Sequence, residues 1–76
     1  MERLFSTHIS INGRNAEYHV VFDHEKYIFQ PEAQEGQLPT FSFIREHDEW
    51  HDQEPVAPAV KKQAVDQLEK YLLRQH

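Results

Sequence analysis

Apolar and polar residues alternate along the first part of the chain with the period of two that is typical of a half-buried strand. In the segment from Leu4 to Ile11 the odd positions are apolar or β-branched, and the even positions from Ser6 onwards are polar. From Ala16 to Asp23 the apolar row falls on the even positions, and after a short break Tyr27 and Phe29 continue it. The alternation predicts three successive strands whose apolar rows share one face of a sheet.

The connections between these strands are short enough to make hairpins. Residues 12–15 tolerate positive φ, which predicts a four-residue loop that pairs Ile11 with Ala16. Residues 23–26 form a second tight turn, and the polar run from Glu32 to Gln37 is a connecting loop of ordinary length. Strands joined in this way are antiparallel, because parallel strands need a longer crossover.

The segment from Thr40 to Arg45 is predicted to form a fourth strand. Its alternation places Phe41 and Phe43 on one side and Ser42 and Ile44 on the other. The pattern alone leaves open which side faces the core, because both sides carry apolar residues.

A period close to four replaces the alternation after the charged run from Glu46 to Glu54. The apolar stripe consists of Val60, Ala64, Leu68 and Leu72. It predicts an amphipathic helix from Pro58 to Arg74, about 25 Å long at ~1.5 Å per residue, which is long enough to cover the sheet. We therefore predict one α+β domain over residues 1–76. It is a four-stranded antiparallel β-meander with one C-terminal helix packed on one face, in the order β-β-β-β-α.

The composition narrows the classes of partner and compartment. Lys and Arg number 8 and Asp and Glu number 13, so the formal charge is −5, which is the wrong sign for binding nucleic acid. The chain has no cysteine, which excludes disulfides and thiolate zinc sites. No segment approaches the roughly 20 apolar residues of a membrane span, and the start lacks the features of a secretion signal. We expect a cytoplasmic protein with no membrane partner.

Several apolar residues fall on the sheet face that the helix would leave uncovered. Val21 and Ile28 lie opposite each other in the predicted register, with Leu4 and Ile44 nearby. Such a stripe predicts an isologous homodimer interface or a docking patch for an unknown protein partner, and scattered surface residues are the alternative. Trp50 stands alone among charges, so it either packs back onto its own domain or anchors in a partner. We count it with the predicted interface.

The segment 46–54 concentrates acids and imidazoles and is the one candidate for chemistry. His47 and His51 are four residues apart, and with Asp48 or Asp52 they make a donor set that suits zinc or nickel. The spacing is similar to the H-E-x-x-H pattern of zinc proteases, but the sequence supplies neither a third ligand nor the walls of a substrate pocket. We expect either a non-catalytic divalent-metal site or a solvated acidic loop ahead of the helix.

The sequence thus favours a non-enzymatic domain that acts by protein association, most simply as a homodimer through the sheet face opposite the helix. The alternative is a divalent-metal or small-ligand module that uses segment 46–54. An enzyme with His51 as general base is a third interpretation, which we do not expect because nothing in the sequence builds a pocket around that residue. No cofactor is expected beyond the divalent metal of the alternative.

Overall fold

The chain folds into an antiparallel sheet with one C-terminal helix, which confirms the predicted α+β class. The computed structural model describes residues 2–33 and 38–75. The elements are β1 (Glu2–Ile11), β2 (Arg14–Asp23), β3 (Lys26–Pro31), β4 (Phe41–Glu46), β5 (Glu49–Asp52) and α1 (Pro58–Arg74). The strands are neighbours in chain order, so the sheet is a meander, and α1 has the predicted bounds. No helix in the described part of the chain is long and apolar enough to cross a membrane.

The sheet has five strands, and the prediction of four was wrong. The charged segment 46–54, predicted as a connection, contains β5, which pairs antiparallel with β4. His47 and Asp48 make the turn between these strands, and both have positive φ, 53° and 64°. The apolar alternation that predicted the other strands is absent from β5, because Trp50 is its one apolar residue. The hairpin of β4 and β5 was therefore not recognised within this mostly charged segment.

The first turn is shorter than predicted. Asn12 and Gly13 alone form it, with φ of 52° and 78°, and Ile11 therefore pairs with Arg14 instead of the predicted Ala16. Positive φ at both central residues is the mark of a type I′ turn, whose twist suits a hairpin. The register differs from the prediction by two residues, and since side chains alternate with a period of two, the apolar rows stay on the predicted face.

The connection between β2 and β3 agrees with the prediction. β2 and β3 pair Val21 with Ile28, as predicted, through a two-residue turn at His24 and Glu25. Between β3 and β4, residues 34–37 of the predicted loop from Glu32 to Gln37 lie outside the described residues.

The core lies between the apolar rows of the sheet and the stripe of α1. On α1 the buried residues are Val60, Ala64 and Leu68. The sheet contributes Ile9, Ile11, Ala16, Tyr18, Val20, Phe29, Phe41 and Phe43. Phe41 is 2% exposed and Phe43 is 0% exposed, so β4 turns its phenylalanines toward the helix. Burying a large apolar side chain is worth about 1.5–3 kcal/mol, which makes this cluster the main stabilising contact of the fold.

A bulge in β1 changes the placement of Leu4. The pairing with β2 shifts between Arg3, which lies opposite Val21, and Phe5, which lies opposite Val20. The extra residue breaks the alternation, and Leu4 packs against the helix-side core. The prediction that Leu4 lies on the face opposite the helix was therefore wrong, and Arg3 lies there instead.

Candidate functional site

The sheet side turned away from α1 is the candidate site, and we call it the open face. It carries Val21, Ile28 and Ile44, and no helix or strand among the described residues lies across it. Val21 pairs with Ile28, which pairs with Ser42, and Ile44 pairs with His51. Val21 is 4% exposed, whereas Ile28 and Ile44 are half-buried. The aliphatic surface left to water therefore comes chiefly from the two isoleucines.

A row of paired residues crosses the open face from β1 to β4. Arg3 lies opposite Val21, Val21 opposite Ile28, and Ile28 opposite Ser42. Ser42 is buried, and its backbone N–H and its hydroxyl donate to the Glu54 carboxylate at 3.0 and 3.2 Å. The row thus has a guanidinium at one end, aliphatic side chains in the middle and a carboxylate at the other end.

A polar cluster holds the Arg3 end of this row. Arg3 Nη2 donates to Glu32 Oε2 at 3.1 Å and to Ser6 Oγ at 3.0 Å. His19 Nδ1 contacts the other oxygen of Glu32, and His19 Nε2 lies 2.8 Å from Gln30 Oε1. Desolvation raises the pKa of Glu32, but the hydrogen bonds and charges of His19 and Arg3 outweigh it, so the pKa lies below its usual value. Glu32 is ionised at neutral pH and anchors Arg3.

The four predicted metal ligands are not brought together. His47 and Asp48 form the β4–β5 turn, while His51 and Asp52 follow each other in β5. Successive residues of a strand point to opposite faces, so His51 lies on the open face and Asp52 on the helix side. Within residues 2–33 and 38–75 no group of three or more His, Asp or Glu side chains is arranged to hold a metal ion.

The acids among these candidates have cationic neighbours of their own. Asp52 Oδ1 accepts a hydrogen bond from Lys61 Nζ at 3.0 Å, and this bond lowers the pKa of Asp52. Asp48 Oδ1 lies 3.5 Å from Arg45 Nη2. The two carboxylates therefore serve ion pairs within the fold, one to α1 and one within the hairpin.

Trp50 packs on the helix side of the sheet. Its ring meets the Tyr27 ring edge-on with centroids 5.4 Å apart, and the Arg45 guanidinium lies 5.6 Å from the Trp50 centroid. Its Nε1 is buried without a hydrogen-bond partner among the described residues. This packing favours the alternative in which Trp50 covers its own domain, and it removes Trp50 from the open face.

Three residues that the sequence analysis did not single out shape the open face: Arg3, Ser42 and Glu54. Arg3 lies there only because of the bulge, which depends on cross-strand pairing and leaves no local pattern. The bond between Glu54 and Ser42 joins residues from two sides of a hairpin that was not predicted.

Comparison with known proteins yields no relative of this chain. It matches no protein-family model, no curated protein sequence and no solved structure. The arrangement of side chains on the sheet is therefore the basis on which a function is proposed.

Proposed function

We propose that the protein acts as a homodimer in which the open faces of two copies pack together. The observation that carries this proposal is the position of Ile28 and Ile44, which are half-buried on a sheet face that no described helix or strand covers. An antiparallel sheet with one face in water normally presents polar side chains there. Ile28 lies on β3, the middle strand, where a second copy would bury it most completely.

The charges at the two ends of the central row suit a second copy. We place the two-fold axis between the two sheets and parallel to β3. In this arrangement β1 of one copy lies over β5 of the other, and β2 lies over β4. This is an aligned packing of two sheets. Ile28 then meets its own counterpart, and Arg3 meets Glu54 of the second copy. Because the interface is isologous, this contact between opposite charges occurs twice.

The size of the face predicts a weak dimer. Five strands about 4.8 Å apart and about six residues long make a surface of roughly 20 by 20 Å. This is about half of the ~800 Å² per partner that is typical of a stable complex. We therefore expect reversible association that depends on protein concentration.

Sedimentation velocity over a range of concentrations tests the proposal. The parent is expected to associate as its concentration rises, and Ile28→Lys to associate more weakly, because a charge would be buried in the apolar centre of the open-face contact. Leu73→Lys is the matched control, since Leu73 is 73% exposed on α1 and lies off the open face. A parent that is monomeric at every concentration, or an Ile28→Lys variant that associates as strongly as the parent, would overturn the proposal.

A charge exchange tests the orientation of the two copies. Arg3→Glu and Glu54→Arg should each weaken the dimer, because each places like charges opposite one another. Mixed together, the two variants should associate more tightly than either does alone, since both contacts in the mixed dimer again join opposite charges. Circular dichroism checks that Glu54→Arg remains folded without its bonds to Ser42. If the mixture associates no more tightly than each variant does alone, the two-fold axis along β3 is contradicted.

A further inference from the structure

β1 forms one edge of the sheet, and half of its backbone groups point away from β2. In a two-residue hairpin the two residues that flank the turn form a pair joined by two backbone hydrogen bonds. Ile11 is such a residue, and hydrogen-bonded pairs recur at every second residue. Between the bulge and the turn, the backbone groups of Phe5, Thr7, Ile9 and Ile11 therefore bond to β2. The N–H and C=O groups of Ser6, His8 and Ser10 therefore face outward from the sheet.

A side-chain amide already binds one of these outward positions. The Ser10 N–H donates to Gln63 Oε1 at 2.8 Å, and Gln63 Nε2 donates to the Ser10 carbonyl at 2.9 Å. An amide that both accepts from and donates to one strand residue does what the backbone of a neighbouring strand would do. The outward groups of Ser6 and His8 have no such partner among the described residues.

The two edges of the sheet differ in how they are protected. β5 is four residues long and carries Glu49 and Asp52, and shortness and charge are common protections against edge pairing. β1 is ten residues long, and between the bulge at Leu4 and the contact of Gln63 with Ser10 it contains no charged residue and no proline. α1 contacts β1 at Phe5 and at Ser10, and between these contacts Ser6 and His8 are exposed and lack the protections that β5 has.

We propose that a second copy of the chain pairs antiparallel with β1 along this edge. Pairing Ser6 with His8 of the other copy, and His8 with its Ser6, puts Thr7 on the two-fold axis. Each of these pairs exchanges two backbone bonds. The two Thr7 side chains then form a β-branched cross-strand pair, which is a favourable contact, and no like charges meet along the strand.

This edge contact is separate from the open-face dimer of the proposed function. Its two-fold axis is perpendicular to the sheet, whereas the axis of the face contact lies parallel to it. A chain that uses both contacts assembles beyond a dimer. Ile28→Lys removes the open-face contact and keeps the edge contact, whereas a variant of His8 does the reverse. The experiments can therefore disprove either proposal without disproving the other.

Amide hydrogen exchange in the Ile28→Lys variant tests the edge contact by itself. The amides of Ser6 and His8 are expected to become more protected as concentration rises, by about tenfold once roughly 90% of the chains are paired. The Trp50 and Asp52 amides are the internal control, because they face outward from the β5 edge. Ser6 and His8 amides that exchange at the same rate at every concentration would overturn the inference.

Two edge variants complete the test by sedimentation. His8→Pro removes the outward N–H and leaves the bonds of β1 to β2 intact, and His8→Lys adds the charge that protects natural edges. In the Ile28→Lys background either change should give a monomer at all concentrations. With Ile28 intact, either should leave assembly at the dimer. If adding His8→Pro or His8→Lys to the Ile28→Lys variant leaves its association unchanged, the proposed pairing of the edges is wrong.

Discussion

The Asp52 carboxylate of β5 lies 3.0 Å from the Lys61 ammonium of α1, and this ion pair joins the last strand of the sheet to the first turn of the helix. The hydrogen bond from Lys61 holds the pKa of Asp52 below its ordinary value. A carboxyl whose pKa is lowered by folding stabilises the folded state at pH values above its unfolded pKa. That contribution disappears as the pH falls through the folded pKa.

The pair predicts a pH-dependent effect of Lys61→Met, which keeps the alkyl chain and removes the charge. At neutral pH the variant should be modestly less stable than the parent, because a partly exposed ion pair is a weak contact. Urea unfolding at a series of pH values should show the difference shrinking as the pH falls below the usual pKa of an aspartate. A difference that is the same at acidic and neutral pH would mean that packing, not charge, is lost.

Two leucines of α1 test whether the helix covers the sheet. Leu68 is 0% exposed in the core and Leu73 is 73% exposed. We expect Leu68→Ala to cost about 2–5 kcal/mol of unfolding free energy, because it leaves a cavity. Leu73→Ala should change the stability by less than about 0.5 kcal/mol. Similar costs in chemical denaturation would show that α1 packs by another face.

The hairpin turns differ in how well their residues suit positive φ. Glu25 has φ of 64°, where a side chain is strained, while Gly13 has φ of 78°, where glycine is free of that penalty. Glu25→Gly should therefore stabilise the fold and Gly13→Ala should destabilise it, each by about 1 kcal/mol. Thermal unfolding of the two variants measures this. If both variants shift the unfolding temperature in the same direction, the positive φ values assigned to these turns are contradicted.

The positions of His51 and Asp52 on opposite faces bear on the metal hypothesis. We expect zinc titration by calorimetry to give the same weak response for the parent and for a variant with His47→Ala and His51→Ala. A saturable heat in the parent that disappears in the double variant would show that segment 46–54 gathers its ligands by rearranging.

Sequence patterns could predict the elements whose periodicity is set by the core. The alternation in β2 and β3, together with the tight turn between them, predicted the pairing of Val21 with Ile28, and the stripe in α1 predicted a helix from Pro58 to Arg74. β5 was missed because a short edge strand with one apolar residue carries almost no alternation. The turn at Asn12 was predicted too long because four consecutive residues there suit turns.

The composition of the open face depended on contacts that no local pattern encodes. Leu4 was misplaced because one extra residue in a bulge moves a side chain to the other face. Of the predicted interface, Val21, Ile28 and Ile44 lie on the open face, while Trp50 packs behind it. The aliphatic centre could thus be read from the sequence, whereas its charged ends could not.

An isotope-filtered NOE experiment on an equal mixture of labelled and unlabelled chains tests the proposed dimer most directly. At concentrations where sedimentation shows association, we predict NOEs between the Ile28 methyl groups of different copies. NOEs at Thr7 would report the edge contact instead. An associated sample in which Ile28 shows no contact with another copy would contradict the account of the open face.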